Sequence, residues 1–135
     1  MIFVFGSNLQ GIHGAGAALY AKKVHRAVEG QGEGLQGSSW ALPTCSAPGQ
    51  PLSLAEIKGH VDTFLRFAKR SHLLQFQVTA IGCGFAGYKP EDIAPMFLDE
   101  AHETPENVWL PAQFVEAIYE LGYDNGREVS EGDYD

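Results

Sequence analysis

The chain has 135 residues, of which 44% are apolar and 19% charged, and its formal net charge is −8. That length and balance fit one globular domain with a core of its own, exclude a disordered tail, and argue against binding nucleic acid through its phosphates, which needs a basic footprint. No apolar run approaches the roughly 20 residues of a membrane span, and "MIFVFGSN" reaches glycine too soon for a signal-peptide core, so a cytoplasmic protein with no membrane partner is expected.

Residues 2–5 form a short, wholly apolar run closed by Gly6, the pattern of a strand buried on both faces at the centre of a sheet. Over residues 16–29 the apolar positions Ala17, Ala21, Val24 and Val28 recur at helical spacing opposite Lys22, Lys23 and Arg26, with Gly30 as terminator. "GQGEGLQG" reads as a flexible connection and "SSWALPT" as a second strand ended by Pro43. Ser53 and Glu56 have capping-box spacing, and Leu54, Ile57, Val61, Phe64, Leu65 and Ala68 continue one apolar stripe to about Arg70. "QFQVTAI" is a third strand. A shorter helix follows within residues 91–101, where Pro95 fits only its first turn. "NVWLP" is a fourth strand, and Phe114, Ala117, Ile118 and Leu121 form the buried face of a last helix before Gly122.

Strand and helix thus alternate four times, which predicts one α/β domain over residues 1–124, a three-layer α/β/α arrangement around a mostly parallel sheet with right-handed crossovers. Thirteen of the seventeen acidic residues lie beyond residue 75, and residues 125–135 read as an acidic, solvated tail. Ligands of such sheets bind outside the carboxyl ends of the strands. Two glycine-rich turns fall at that edge: "GSNLQGIHGAG" after the first strand and "GCGFAGYK" after the third. Gly11, Gly14 and Gly16 in one, and Gly82, Gly84 and Gly87 in the other, allow backbone N–H groups to approach an anion, and the following helix start adds partial positive charge. Together they suit two phosphates, or two sides of a diphosphate. The second loop has literal G-x-G-x-x-G spacing, but it follows the third strand and no acidic residue ends "NVWLP", which disfavours a Rossmann dinucleotide site.

"GSNLQGIHGAGAAL", "IGCGFAGYKPEDIAPM" and "NVWLPAQFVEAIYE" resemble, in this order and spacing, the two ligand loops and the last strand and helix of macrodomains, in a compact member of phage or bacterial type. What the resemblance implies is ADP-ribose or a related nucleotide as ligand, free or carried on an ADP-ribosylated macromolecule, with no cofactor, no metal and no sequence-specific DNA binding. The second loop, Gly82, Cys83, Gly84, Phe85, Ala86, Gly87 and Tyr88, would wrap the diphosphate. The first, His13, Gly14, Ala15 and Gly16, would approach the distal ribose, with Gly6 and Ser7 beneath. Asn8 would touch ribose hydroxyls and Phe114 would stack near adenine or serve the core.

For hydrolysis of an ADP-ribosyl linkage the candidates are Asn8 and His13, positioning or deprotonating a water. Their alternatives are a turn residue bonded to its own backbone and an exposed loop histidine. Cys83 is either a nucleophile activated by the helix start or a small spacer between glycines. Asp92 caps the next helix or, with Lys89, adds charge to the ligand. The family's aspartate-bearing "GDI" start has no counterpart, and Ala15 or Gly16 stands where some macrodomain enzymes carry an acidic residue. A binding module without chemistry is therefore the alternative function.

Overall fold

The computed structural model describes residues 1–123 and is an α/β domain built on one six-stranded sheet. Its elements are β1 (Ile2–Asn8), α1 (Gly16–Val24), β2 (Gly34–Gln36), β3 (Ser39–Ala47), β4 (Gln50–Pro51), α2 (Leu54–Arg70), β5 (Phe76–Val78), α3 (Pro90–Ile93) with a 3-10 turn over Ala94–Phe97, β6 (Val108–Trp109) and α4 (Ala112–Glu120). The strand order is β2-β3-β1-β5-β6, with β4 paired to the far end of β3. β3, β1, β5 and β6 run parallel, while β2 and β4 are antiparallel to β3. The apolar run of β1 does occupy a central position, where Val4 and Phe5 are fully buried.

Alternation along β1 divides the core in two. Val4 faces the larger cluster, where Trp40, Leu42, Phe76 and Val78 of the sheet meet Ile57, Val61, Phe64 and Leu65 of α2 and Phe114 and Ile118 of α4. Phe5 faces the smaller one with Ala41, Ala18, Ala21 and Ala27, so helices cover both faces of the sheet. α2 begins at the expected capping box: Ser53 Oγ accepts from the Glu56 N–H at 3.1 Å and Glu56 Oε1 from the Ser53 N–H at 3.0 Å. No helix among the described residues is long and apolar enough to cross a membrane.

Several boundaries differ from expectation, each for a local reason. β3 does not end at Pro43; it continues to Ala47 because a register shift opposite Ser7 and Asn8 accommodates the missing N–H as a bulge. Part of "GQGEGLQG" is not a loose connection: Gly34, Leu35 and Gln36 pair with Ala41, Trp40 and Ser39 as an edge strand. α1 stops at Val24, where Arg26 enters the left-handed region and the Ala27 N–H donates back to Ala21 O at 3.1 Å. Its buried residues are Ala18 and Ala21, leaving Val24 and Val28 exposed. The segment expected within residues 91–101 is one turn of α-helix followed by the 3-10 turn, with Pro95 in the latter's first turn. In α4, Val115 takes the buried place expected of Leu121. The acidic tail lies outside the described residues.

Candidate functional site

The two glycine turns border one cleft of about 770 Å³ at the carboxyl ends of β1, β3 and β5. Gly6, Ser7 and Asn8 of β1 form its floor with Thr44 and Cys45 of β3. One wall is Ile12 and residues 14–18 at the start of α1; the other is residues 79–82 with Gly84, Phe85 and Ala86. Pro48 and Gly49, in the turn between β3 and β4, complete the rim.

The glycines divide into two kinds. Gly11, Gly16, Gly82 and Gly87 have φ between +59° and +79°, so the backbone itself demands them. Gly14 and Gly84 have no such φ, and a Cβ at Gly84 would meet nothing within 4 Å, while one at Gly14 would meet only Ile12 Cγ2 at 3.9 Å. Each loop therefore carries one glycine on the cleft wall that the fold does not require. Among the described residues, the N–H groups of Gly16, Ala17 and Ala18 and those of Gly84, Phe85 and Ala86 have no acceptor in the protein, and the N-cap residue of α1, Ala15, offers no side-chain acceptor. The loops also touch: a Cβ on Gly16 would lie 2.8 Å from Phe85 Cε2.

Of the candidate residues, Gly6, Ser7, Asn8, Gly14, Ala15, Gly16, Gly82, Gly84, Phe85 and Ala86 line the cleft, and His13, Cys83, Gly87, Tyr88 and Phe114 do not. His13 is no exposed loop residue. It is fully buried, edge-on to Phe5 at 5.2 Å, with Nε2 3.1 Å from Gln31 O and 3.3 Å from Gln36 Oε1. Two acceptors around Nε2 place the proton there, and Nδ1 is buried without a partner. His13 thus anchors the first loop from beneath. Its N–H donates to Glu29 Oε1, the same oxygen that Lys22 Nζ of α1 reaches at 3.1 Å, and the Lys22 bond is the main reason the Glu29 carboxyl sits below the usual range. Phe114 is fully buried in the core, because the face of α4 that carries it packs against α3 and the 3-10 turn, with its ring 6.0 Å from that of Phe97.

Asn8 lines the cleft, but its amide is used at both ends by its own loop: Oδ1 accepts from the Ile12 N–H at 3.1 Å and Nδ2 donates to Ile12 O at 2.9 Å. Tyr88 ties the second loop to the strand edge, its hydroxyl donating to Leu52 O at 2.6 Å. Asp92 Oδ2 accepts from the Lys89 N–H at 3.1 Å, a helix-start bond. Cys83 is half-buried, and burial followed by the nearby Asp92 and Glu91 carboxylates pushes its thiol up to about 11. These effects oppose any lowering by the helix start and favour the neutral thiol near pH 7, in keeping with Cys83 as a small spacer between glycines rather than an activated nucleophile.

Sequence reasoning missed Thr44, Cys45, Pro48 and Gly49 because it ended the strand at Pro43. The signal was present in "SAPGQP", a Pro-Gly turn between two short extended segments. Among the described residues, no Asp, Glu, Lys, Arg or His side chain stands on the cleft wall, and no cluster of three or more His, Cys, Asp or Glu is placed to hold a metal ion. No family model matches the chain, and neither a curated protein nor a solved structure matches it.

Proposed function

We propose that the cleft binds ADP-ribose or a related nucleotide, with the diphosphate held by backbone N–H groups of the two glycine loops. The observation that carries this reading is the pair of glycines, Gly14 and Gly84, that stand on the cleft wall without a conformational reason to be glycine. Both lie beside N–H groups with no acceptor among the described residues, and small residues there let an anion approach the backbone. The start of α1 adds partial positive charge.

Binding without turnover is favoured over hydrolysis of an ADP-ribosyl linkage by the composition of the wall. General acid–base chemistry needs a titratable group within hydrogen-bond reach of the reacting atoms. His13 is buried off the wall, and the Asn8 amide is committed to Ile12. On this reading the protein senses or sequesters a nucleotide, free or attached to an ADP-ribosylated macromolecule.

The test is titration with ADP-ribose, followed by heat and by thermal unfolding. Saturation at a hundred times Kd raises stability by about 2.7 kcal/mol. Gly84→Glu, which places a carboxylate in open space on the wall, abolishes the shift while leaving the unliganded protein folded. Incubation with an ADP-ribosylated protein gives retention without release of ADP-ribose. Absence of any heat or unfolding shift with ADP-ribose sinks the proposal, and release of free ADP-ribose sinks its non-catalytic part.

A further inference from the structure

The hydroxyl and amide donors on the cleft wall are already used within the protein. Ser7 Oγ donates to Gly32 O, Thr44 Oγ1 to Ser7 O at 3.4 Å and Thr79 Oγ1 to Val4 O at 2.8 Å, while the Asn8 amide closes on Ile12. Bases differ in where their donors and acceptors stand, and a site that separates them by large factors needs groups reserved for those positions. Among the described residues the wall holds no reserved side-chain pair of that kind.

What it does hold is Phe85, the only aromatic residue on the wall among the described residues, with 72% of the residue exposed. The ring reaches from the second loop to the start of α1, as its approach to Gly16 shows. It therefore stands beside the unpaired N–H groups of both loops and offers an open π-face. Phe114 offers none, being sealed in the core. Stacking on an aromatic ring tolerates any base, because every base has a π-face.

We propose that the cleft takes nucleoside diphosphates with little regard to the base, which stacks on Phe85 while the diphosphate meets the loop N–H groups. This rests on the nucleotide reading above and specifies its ligand class. The experiment is calorimetric titration of the full chain with ADP, GDP, CDP and UDP, for the wild type, Phe85→Ala and Phe85→Trp. The four wild-type affinities fall within about thirtyfold of one another, the range left to apolar contact. Phe85→Ala weakens all four by roughly 5- to 150-fold, Phe85→Trp retains them, and neither changes the unfolding temperature of the free protein. A wider spread between bases, or undiminished binding by Phe85→Ala, overturns the inference and leaves nucleotide binding standing. Failure of all four diphosphates and of ADP-ribose to bind overturns both.

Discussion

Alanine placed at four loop glycines separates what the fold requires from what a ligand requires. At Gly84 the methyl group enters open space on an ordinary backbone, so the substitution is neutral or stabilises by up to about 1 kcal/mol through the unfolded chain. At Gly87 there is also room, but φ is +79°, and an L-residue there costs about 1–2 kcal/mol. At Gly82, φ of +76° is joined by Ile93 Cδ1 at 3.0 Å and Cγ1 at 3.1 Å from the new Cβ. Ile93 is fully buried, so about 1–3 kcal/mol of overpacking adds to the backbone cost. At Gly11 the Cβ would lie 2.3 Å from Gly30 C and 2.5 Å from Gln31 N. That is backbone against backbone, across the Gly30 N–H to Gly11 O bond at 2.8 Å, and the loss exceeds about 4 kcal/mol. For a domain of this size 1 kcal/mol moves the melting temperature by roughly 3–5 °C. Scanning calorimetry should therefore rank Gly84→Ala near or above the wild type, then Gly87→Ala, Gly82→Ala and Gly11→Ala in descending order. If Gly84→Ala melts as low as Gly87→Ala, Gly84 is a structural glycine and the argument from a spare glycine collapses.

Ser53→Ala removes one half of the α2 capping box and costs about 1 kcal/mol at neutral pH. Because the Ser53 N–H and hydroxyl hold the Glu56 carboxyl below its usual value of 4.5, that box stabilises above the unfolded value and fades as pH falls through the folded one; urea unfolding at pH 7 and pH 3 should show the wild-type advantage shrinking, and a constant difference contradicts the reasoning. The Cys83 thiol, raised from 9.0 to about 11, has the opposite sign: its contribution is complete below pH 9 and is lost as pH climbs toward 11. Cys83→Ala should flatten stability over that alkaline window, and iodoacetamide should label Cys83 in the native protein at pH 7.5 far more slowly than in urea; rapid native labelling would refute the neutral thiol.

The core was legible because burial imposes a period that survives without context. The apolar run of residues 2–5 in β1 and the stripe from Ile57 to Ala68 each have one way to bury themselves. What failed depends on partners distant in sequence. Pro43 reads as a stop until Ser7 and Asn8 are seen to shift register opposite it, and Gly34, Leu35 and Gln36 become a strand only because the first residues of β3 present an open edge. The cleft followed the same division. Glycine spacing and chain order located both loops, but the depth of His13 is set by Gln31 and Gln36, and that of Phe114 by Phe97 and the 3-10 turn packed against α4. A histidine among glycines has the same local sequence whether it points at a ligand or anchors the loop from below.

Asn8 poses the same ambiguity in a form that experiment can resolve. Both ends of its amide meet the backbone of Ile12, and the Gly11 N–H donates to Asn8 O at 2.9 Å, so this one residue closes the turn that leads to Gly14 and Gly16. Ile12 is exposed, so water can reach its freed N–H and C=O in Asn8→Ala; the cost is then nearer about 1 kcal/mol than the full penalty of a buried orphan. Asn8→Asp keeps the acceptor for the Ile12 N–H but turns a carboxylate oxygen toward Ile12 O, and should destabilise at neutral pH and recover as the carboxyl is protonated in acid. A positioning residue predicts that Asn8→Ala lowers the unfolding temperature, speeds amide exchange over residues 11–16 and weakens ADP-ribose binding together. A residue that touches the ligand predicts lost affinity with unfolding and exchange unchanged, and that result would remove Asn8 from the frame of the loop.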